Sequence, residues 1–225
     1  MRLKDWTKFE KAFAALGTIA AVALTFIFKG EIVNLTYTLM HFWTALLLVK
    51  GKYACYIIGL ISTFFYAYIS FSNQYYGETI IAMCLTLPMM VFGLINWLKH
   101  QDKKKTVIVK KVSLKELFIL ILSQIVLSVA YYYLLKSFNT SNLIISTANV
   151  AIAFIASYLA ARRSDYGFIA YIINDLMLVI LWGTLLLGGN IGVITVLLCP
   201  VLLLITDIYG VINWQKIKKR QAKKK

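Results

Sequence analysis

A chain of 225 residues that is 60% hydrophobic and only 15% charged, with a mean hydropathy of +0.76, carries far more apolar surface than one soluble core can bury, so its solvent must be lipid. A net charge of +15 would point to nucleic acid in a soluble protein, but the 24 Lys and Arg lie almost entirely between apolar runs, which makes them topology signals and excludes a nucleic-acid reading. Cys55, Cys84 and Cys199 fall inside apolar stretches without CxxC spacing, and His41 and His100 sit in unrelated segments, which leaves almost no material for a metal site or a histidine-based triad.

A bilayer core needs about 20 apolar residues per helix, and the chain supplies such a run eight times. The first, 12–28, follows Arg2, Lys4, Lys8 and Lys11; the stretch after it (25–31, TFIFKGE) has no small-residue cleavage site, so a retained helix is expected rather than a signal peptide. The second, 32–49, is followed by Lys50 and Lys52. The third, 53–72, places Ser62, Tyr66, Ile69 and Asn73 on one stripe. The fourth, 79–98, contains Pro88 and ends on Gly93 and Trp97 before the basic stretch 99–115; the fifth, 116–135, is nearly featureless. The sixth, 142–161, carries Ser146, Asn149, Ala153 and Ser157 at helical spacing and is followed by Arg162 and Arg163.

The seventh helix, 166–187, aligns Tyr171, Asn174, Asp175, Leu178 and Trp182 on one face. The eighth, 191–213, holds Pro200 and a stripe of Thr195, Cys199, Leu202, Thr206, Tyr209 and Asn213; Asp207 lies beside that stripe near the basic end, within reach of water, and a lysine-rich tail follows. Every second loop is basic, and only Lys29 and Lys136 stand on the other side. Both termini are therefore expected in the cytoplasm of a multi-pass bacterial inner-membrane protein, with the tail against anionic headgroups.

The fourth helix ends Phe92-Gly93-Leu94-Ile95-Asn96-Trp97 and the eighth ends Tyr209-Gly210-Val211-Ile212-Asn213-Trp214. At the same offset Asn73 meets Asn190, each in the loop before the last helix of its half. The chain thus reads as an all-α membrane protein built from two parallel three-helix units, 32–98 and 142–214. A basic loop and linker helix (99–141) join them, an extra helix (1–31) precedes them and a basic tail (215–225) follows. Parallel repeats place a substrate site between the halves. Polar residues in hydrocarbon are costly and mark pathways. Asn174, Asp175, Tyr171, Trp182, Tyr66, Asn149 and Thr206 are accordingly the candidate substrate-binding residues, and amides, carboxylates and aromatics together suit a polar heterocycle carrying a sugar. Pro88, Pro200, Gly93, Gly210, Trp97, Trp214 and Asp207 are candidates for gating or helix packing, with hydroxyls such as Thr206 also able to bond their own helix.

The three-plus-one-plus-three arrangement, the paired Gly-x-x-x-Trp helix ends and the segment Tyr171-Ile172-Ile173-Asn174 resemble the PnuC family of vitamin transporters, a relative in fold of the SWEET sugar transporters. The resemblance runs from the second helix onward. It implies a homotrimer with one pathway per protomer, moving nicotinamide riboside or a similar vitamin by facilitated diffusion, with trapping by phosphorylation inside the cell and no cofactor or metal. Family members that carry nicotinamide riboside have a W-x-x-W motif before the asparagine; the matching positions here are Gly167 and Ala170, and Met83 and Met90 stand where the family's glutamine and asparagine would be sought. Deoxynucleoside, thiamine or riboflavin cargo is the alternative within the family. A membrane-embedded enzyme using Asp175 and Asp207 as paired acids, or a membrane interaction protein without a pocket, would be the alternatives outside it.

Overall fold

The computed structural model describes residues 6–140 and 142–223; Arg2, Lys4, Lys224 and Lys225, expected among the topology signals, lie outside them. Among the described residues eight helices are long and apolar enough to cross a membrane. They are α1 (Lys8–Ile27), α2 (Ile32–Val49), α3 (Ala54–Ser72), α4 (Tyr76–Lys99), α5 (Leu114–Ser137), α6 (Leu143–Ala161), α7 (Tyr166–Leu187) and α8 (Ile191–Ala222). Three ends differ from expectation by more than two residues, each for a local reason. α1 starts at Lys8 because Thr7 and Glu10 close a capping box, Glu10 N–H to Thr7 Oγ1 at 3.2 Å and Thr7 N–H to Glu10 Oε2 at 2.7 Å. α4 starts at Tyr76, which brings Glu78 into the helix. α8 runs past residue 213 because its basic extension is tied down by Lys218–Asp165 at 2.8 Å and Arg220–Asp102 at 3.0 Å. Partial burial works against the charge on Asp102, but the Thr106 and Lys104 backbone N–H groups and the Arg220 guanidinium outweigh it and hold the carboxyl below its ordinary range.

Within the first unit α2 packs on α3 and α3 on α4; within the second α6 packs on α7 and α7 on α8. The units meet along two seams, α2 against α8 and α4 against α6, so that six helices form a ring. α1 lies outside the first seam on α2 and α8, and α5 lies on α6. α5 turns Phe118, Ile125, Val126 and Tyr133 outward, an apolar face that lipid solvates and no core needs.

The repeat predicted from the helix ends is a set of reciprocal contacts. Asn96 Nδ2 donates to the Ala161 carbonyl at 2.7 Å and Trp97 Nε1 to Ala160 at 2.9 Å. In the mirror arrangement Asn213 Nδ2 donates to Val49 at 2.8 Å and Trp214 Nε1 to Leu48 at 3.2 Å. These carbonyls belong to the last turns of α6 and α2, where helix geometry supplies too few N–H partners, so each unit caps the first helix of the other. Equivalent residues also meet one another: Trp97 and Trp214 ring centroids are 5.7 Å apart, and Asn190 Nδ2 donates to Asn73 Oδ1 at 3.2 Å across the opposite face. A residue touches its own equivalent only on a symmetry axis, so these two contacts trace a pseudo-twofold axis from one face of the ring to the other.

The glycines of the repeated motif let an aromatic ring lie against backbone. A Cβ at Gly93 would collide with the Tyr56 ring, and one at Gly210 with Phe168. Overpacking of this kind costs about 1–3 kcal/mol. Gly210→Ala is expected to lower the melting temperature of the detergent-solubilised protein, and adding Phe168→Leu, which makes room, to recover part of the loss; thermal unfolding of the two variants beside the parent checks both.

Candidate functional site

The ring encloses a cavity of about 920 Å³ of non-atom space, part of it continuous with solvent, lined from α2, α3, α4, α6, α7 and α8. Packed aromatic clusters flank it on both sides. Towards the face opposite the basic loops stand Tyr75 and Trp182 with Ile69 and Leu181; towards the basic face stand Tyr56, Trp97, Phe168 and Trp214.

A hydrogen-bonded arc crosses the cavity wall from one unit to the other. Glu78, in the first turn of α4, accepts from the Tyr66 hydroxyl of α3 through Oε2 at 2.7 Å and from Asn149 Nδ2 of α6 through Oε1 at 2.7 Å. Asn149 then accepts from Asn174 Nδ2 of α7 at 2.7 Å. Because a carboxylate only accepts, Glu78 fixes the orientation of the Asn149 amide, and this in turn fixes Asn174. The next residue of α7, Asp175, stands beside Asp207 of α8 at the wall of the same cavity. Both are buried, at 1% and 3% exposure, so the water expected near Asp207 does not reach it freely. Rings of His41, Tyr37 and Tyr66 stack along another part of the wall, with centroids 5.3 Å and 5.1 Å apart.

Of the residues singled out in the sequence, Asn174, Asp175, Tyr171, Tyr66, Asn149 and Asp207 line this cavity. Trp182 does not: it stands behind the wall, edge-on to Tyr66 at 6.2 Å and Tyr75 at 5.3 Å. Nor does Thr206, whose hydroxyl donates to the Leu202 carbonyl of its own helix at 2.8 Å. Met90 lines the cavity, whereas Met83 is 40% exposed on the outer surface. Gly167 packs against the backbone of Ala160, and Ala170 against Leu120 and Leu159, so neither W-x-x-W position contributes to the cavity wall. Pro88 follows a π-helical stretch, Ile81–Thr86, within α4, and Pro200 sits inside the unbroken helix of α8.

The sequence reading missed Glu78, His41 and Tyr37. Glu78 stands just ahead of the apolar run that opens at residue 79, and its signal in the sequence is a lone carboxylate, with no charged neighbour close by, beside a membrane helix. His41 and Tyr37 lie in the second helix, whose polar residues were not sorted by face.

The chain resembles known proteins over nearly its whole length. Residues 31–216 match the family described as nicotinamide mononucleotide transporter. The nicotinamide riboside transporter PnuC of Neisseria mucosa is 24% identical over 223 residues, 96% of this chain and 84% of the relative. The protein of the same name from Haemophilus influenzae is 22% identical over 97% of this chain and 94% of its own. The crystal structure of the vitamin B3 transporter PnuC superposes with a TM-score of 0.86 at 22% identity, covering 96% and 94% of the two chains; the eight-helix architecture is thus a known one.

Asn149 holds two partners at once. Asn149→Leu strands one oxygen of Glu78 and the Asn174 amide together, whereas Asn174→Leu strands only the Asn149 oxygen, and each stranded group costs about 1–3 kcal/mol. Asn149→Leu is therefore expected to depress the melting temperature further than Asn174→Leu, as measured side by side in the same detergent.

Proposed function

The chain belongs to the nicotinamide mononucleotide transporter family, as its match over residues 31–216 shows, and on that premise we propose that it carries a nucleoside-like vitamin, nicotinamide riboside first, by facilitated diffusion through the cavity between its two units. The observation that carries this reading is the arc Tyr66–Glu78–Asn149–Asn174, which bridges both units at the cavity wall. A ligand held there touches both halves of a structure whose rocking would open it to either side. The relatives named after the riboside, rather than the mononucleotide of the family description, support the riboside as the first cargo. The cavity chemistry agrees: carboxylates line it and, among the described residues, no Lys or Arg does, so a phosphate would meet repulsion and no cationic partner.

In this reading Asn174, Asn149 and Tyr66 hold the ring substituents and hydroxyls, and Tyr171 closes the site on its basic side. Trp182 holds Tyr66 from behind, while Thr206 packs α8. Gly93, Gly210, Trp97 and Trp214 form the joint that yields during gating, with Pro88 and Pro200 as the flexible points of their helices. The stacked His41, Tyr37 and Tyr66 rings supply the aromatic wall of the site, while positions 167 and 170, where the resemblance would place indoles, stand outside the cavity. The absence of those indoles favours a second cargo within the same family, thiamine, riboflavin or a deoxynucleoside. Orientation follows the basic loops, with both termini in the cytoplasm and the tail against anionic headgroups; the resemblance adds a homotrimer and trapping by intracellular phosphorylation.

Uptake of radiolabelled nicotinamide riboside into proteoliposomes tests the proposal. Accumulation should stop at equilibrium with the outside, remain unaffected by an imposed proton or sodium gradient, and fall about tenfold or more in Asn174→Ala. Uptake of thiamine or thymidine in place of the riboside would move the reading to the second cargo, and no uptake of any of these by folded protein would overturn it.

A further inference from the structure

We propose that Asp175 and Asp207 form a charge filter: the cavity takes a heteroaromatic cargo whose ring bears a fixed positive charge and discriminates against the neutral ring of the same shape. The inference rests on the transporter reading above and narrows its substrate class.

The carboxylates of the cavity are not equivalent. Glu78 is satisfied within the protein by a tyrosine hydroxyl and an asparagine amide. Asp175 is not: it is 1% exposed, and among the described residues no N–H or O–H donor reaches its Oδ2. Its neighbour is Asp207, a second acceptor that repels it unless a proton or another cation stands between them. Among the described residues, the basic side chains stand away from the pair. The four salt bridges among the described residues all lie at the basic face, no Lys or Arg lines the cavity, and His41 is turned to Ser62 Oγ at 3.3 Å. Two adjacent acids without a counter-charge inside a lipid-embedded ring are costly to keep and mark a functional position.

The missing partner has a recognisable chemistry. Tyr171 projects from the same face of α7, one turn from Asp175, and Tyr37 from α2, and both line the cavity together with the pair. Aromatic walls beside unpaired carboxylates suit a flat ring with delocalised positive charge, which the carboxylates attract and the tyrosine faces stack upon. Pyridinium and thiazolium rings have that character; neutral pyrimidines, purines and flavins do not.

Two matched pairs test the filter by isothermal titration calorimetry on the purified full-length protein. Nicotinamide riboside is compared with its uncharged 1,4-dihydro form, which keeps the ribose and the carboxamide, and thiamine with thymidine. In at least one pair the cation is expected to bind about tenfold tighter or more, and that ratio to fall below about threefold in Asp175→Asn and in Asp207→Asn. Asp207→Glu, which keeps the charge, should retain the preference and serves where an asparagine variant fails to give a monodisperse peak on gel filtration. Equal binding of charged and neutral members overturns the filter while leaving the transporter reading intact, and so does a preference that survives in both asparagine variants. Failure of every compound to bind removes the transporter reading and the filter together.

Discussion

Everything in this molecule depends on each half closing the helix ends of the other. The Asn96–Trp97 pair reaches the last carbonyls of α6 and the Asn213–Trp214 pair those of α2. In a membrane the apolar faces of helices gain little from leaving lipid, so association rests on close packing and on hydrogen bonds that would otherwise go unmade. Four side-chain donors placed on buried helix-end carbonyls are therefore a large share of what can hold the two units in register at the basic face. The glycines three or four residues earlier in the same helices serve this joint too, since the rings of Tyr56 and Phe168 lie where any larger residue would hold the helices apart.

With the units joined in this way, the cavity between them belongs to neither. Glu78 comes from the first unit and its partner Asn149 from the second, while Asp175 and Asp207 stand on neighbouring helices of the second unit and face residues of the first. Any tilt of one unit relative to the other must stretch the Glu78–Asn149 bond before it disturbs contacts within a unit. The residues of this arc, which the proposed function assigns to the ligand, would thereby also report the relative position of the units, the coupling a carrier with one site and two openings requires.

The sequence displayed the architecture well because its signals are long and redundant. Eight apolar runs, an alternating distribution of Lys and Arg, and a motif repeated at fixed spacing each point to the same ring, and the observed helices differ from that reading by more than two residues only at three ends. The site was legible in part. Asn174 and Asp175 are conspicuous as adjacent polar residues in an otherwise apolar helix, and their face could be read from spacing alone. Trp182 shares that spacing yet lies two turns beyond Asp175, outside the cavity and within a packed aromatic layer, because a helix face extends through the whole membrane whereas a cavity occupies only part of its depth. Glu78 escaped because hydropathy assigns a charged residue at a boundary to the loop. The arc it forms depends on partners 12 and 71 residues away, which no local pattern encodes. Thr206 illustrates the reverse case, a hydroxyl on a polar stripe whose bond is made to its own backbone.

The π-helical stretch in α4 makes the two seams mechanically unequal. Ile81–Thr86 winds with a wider turn directly before Pro88, and a proline there withholds the N–H that would draw the turn tight. Its counterpart α8 carries Pro200 within continuous α-helix from Ile194 to Ala222. One side of the ring thus carries a widened turn ahead of its proline, whereas the other keeps regular α-helical winding around Pro200, in the manner of a door hung on a single post. Ile81, Ala82 and Thr86 of that segment line the cavity, so the widened turn lies against the cavity itself, and a change in its winding would alter the cavity's volume directly.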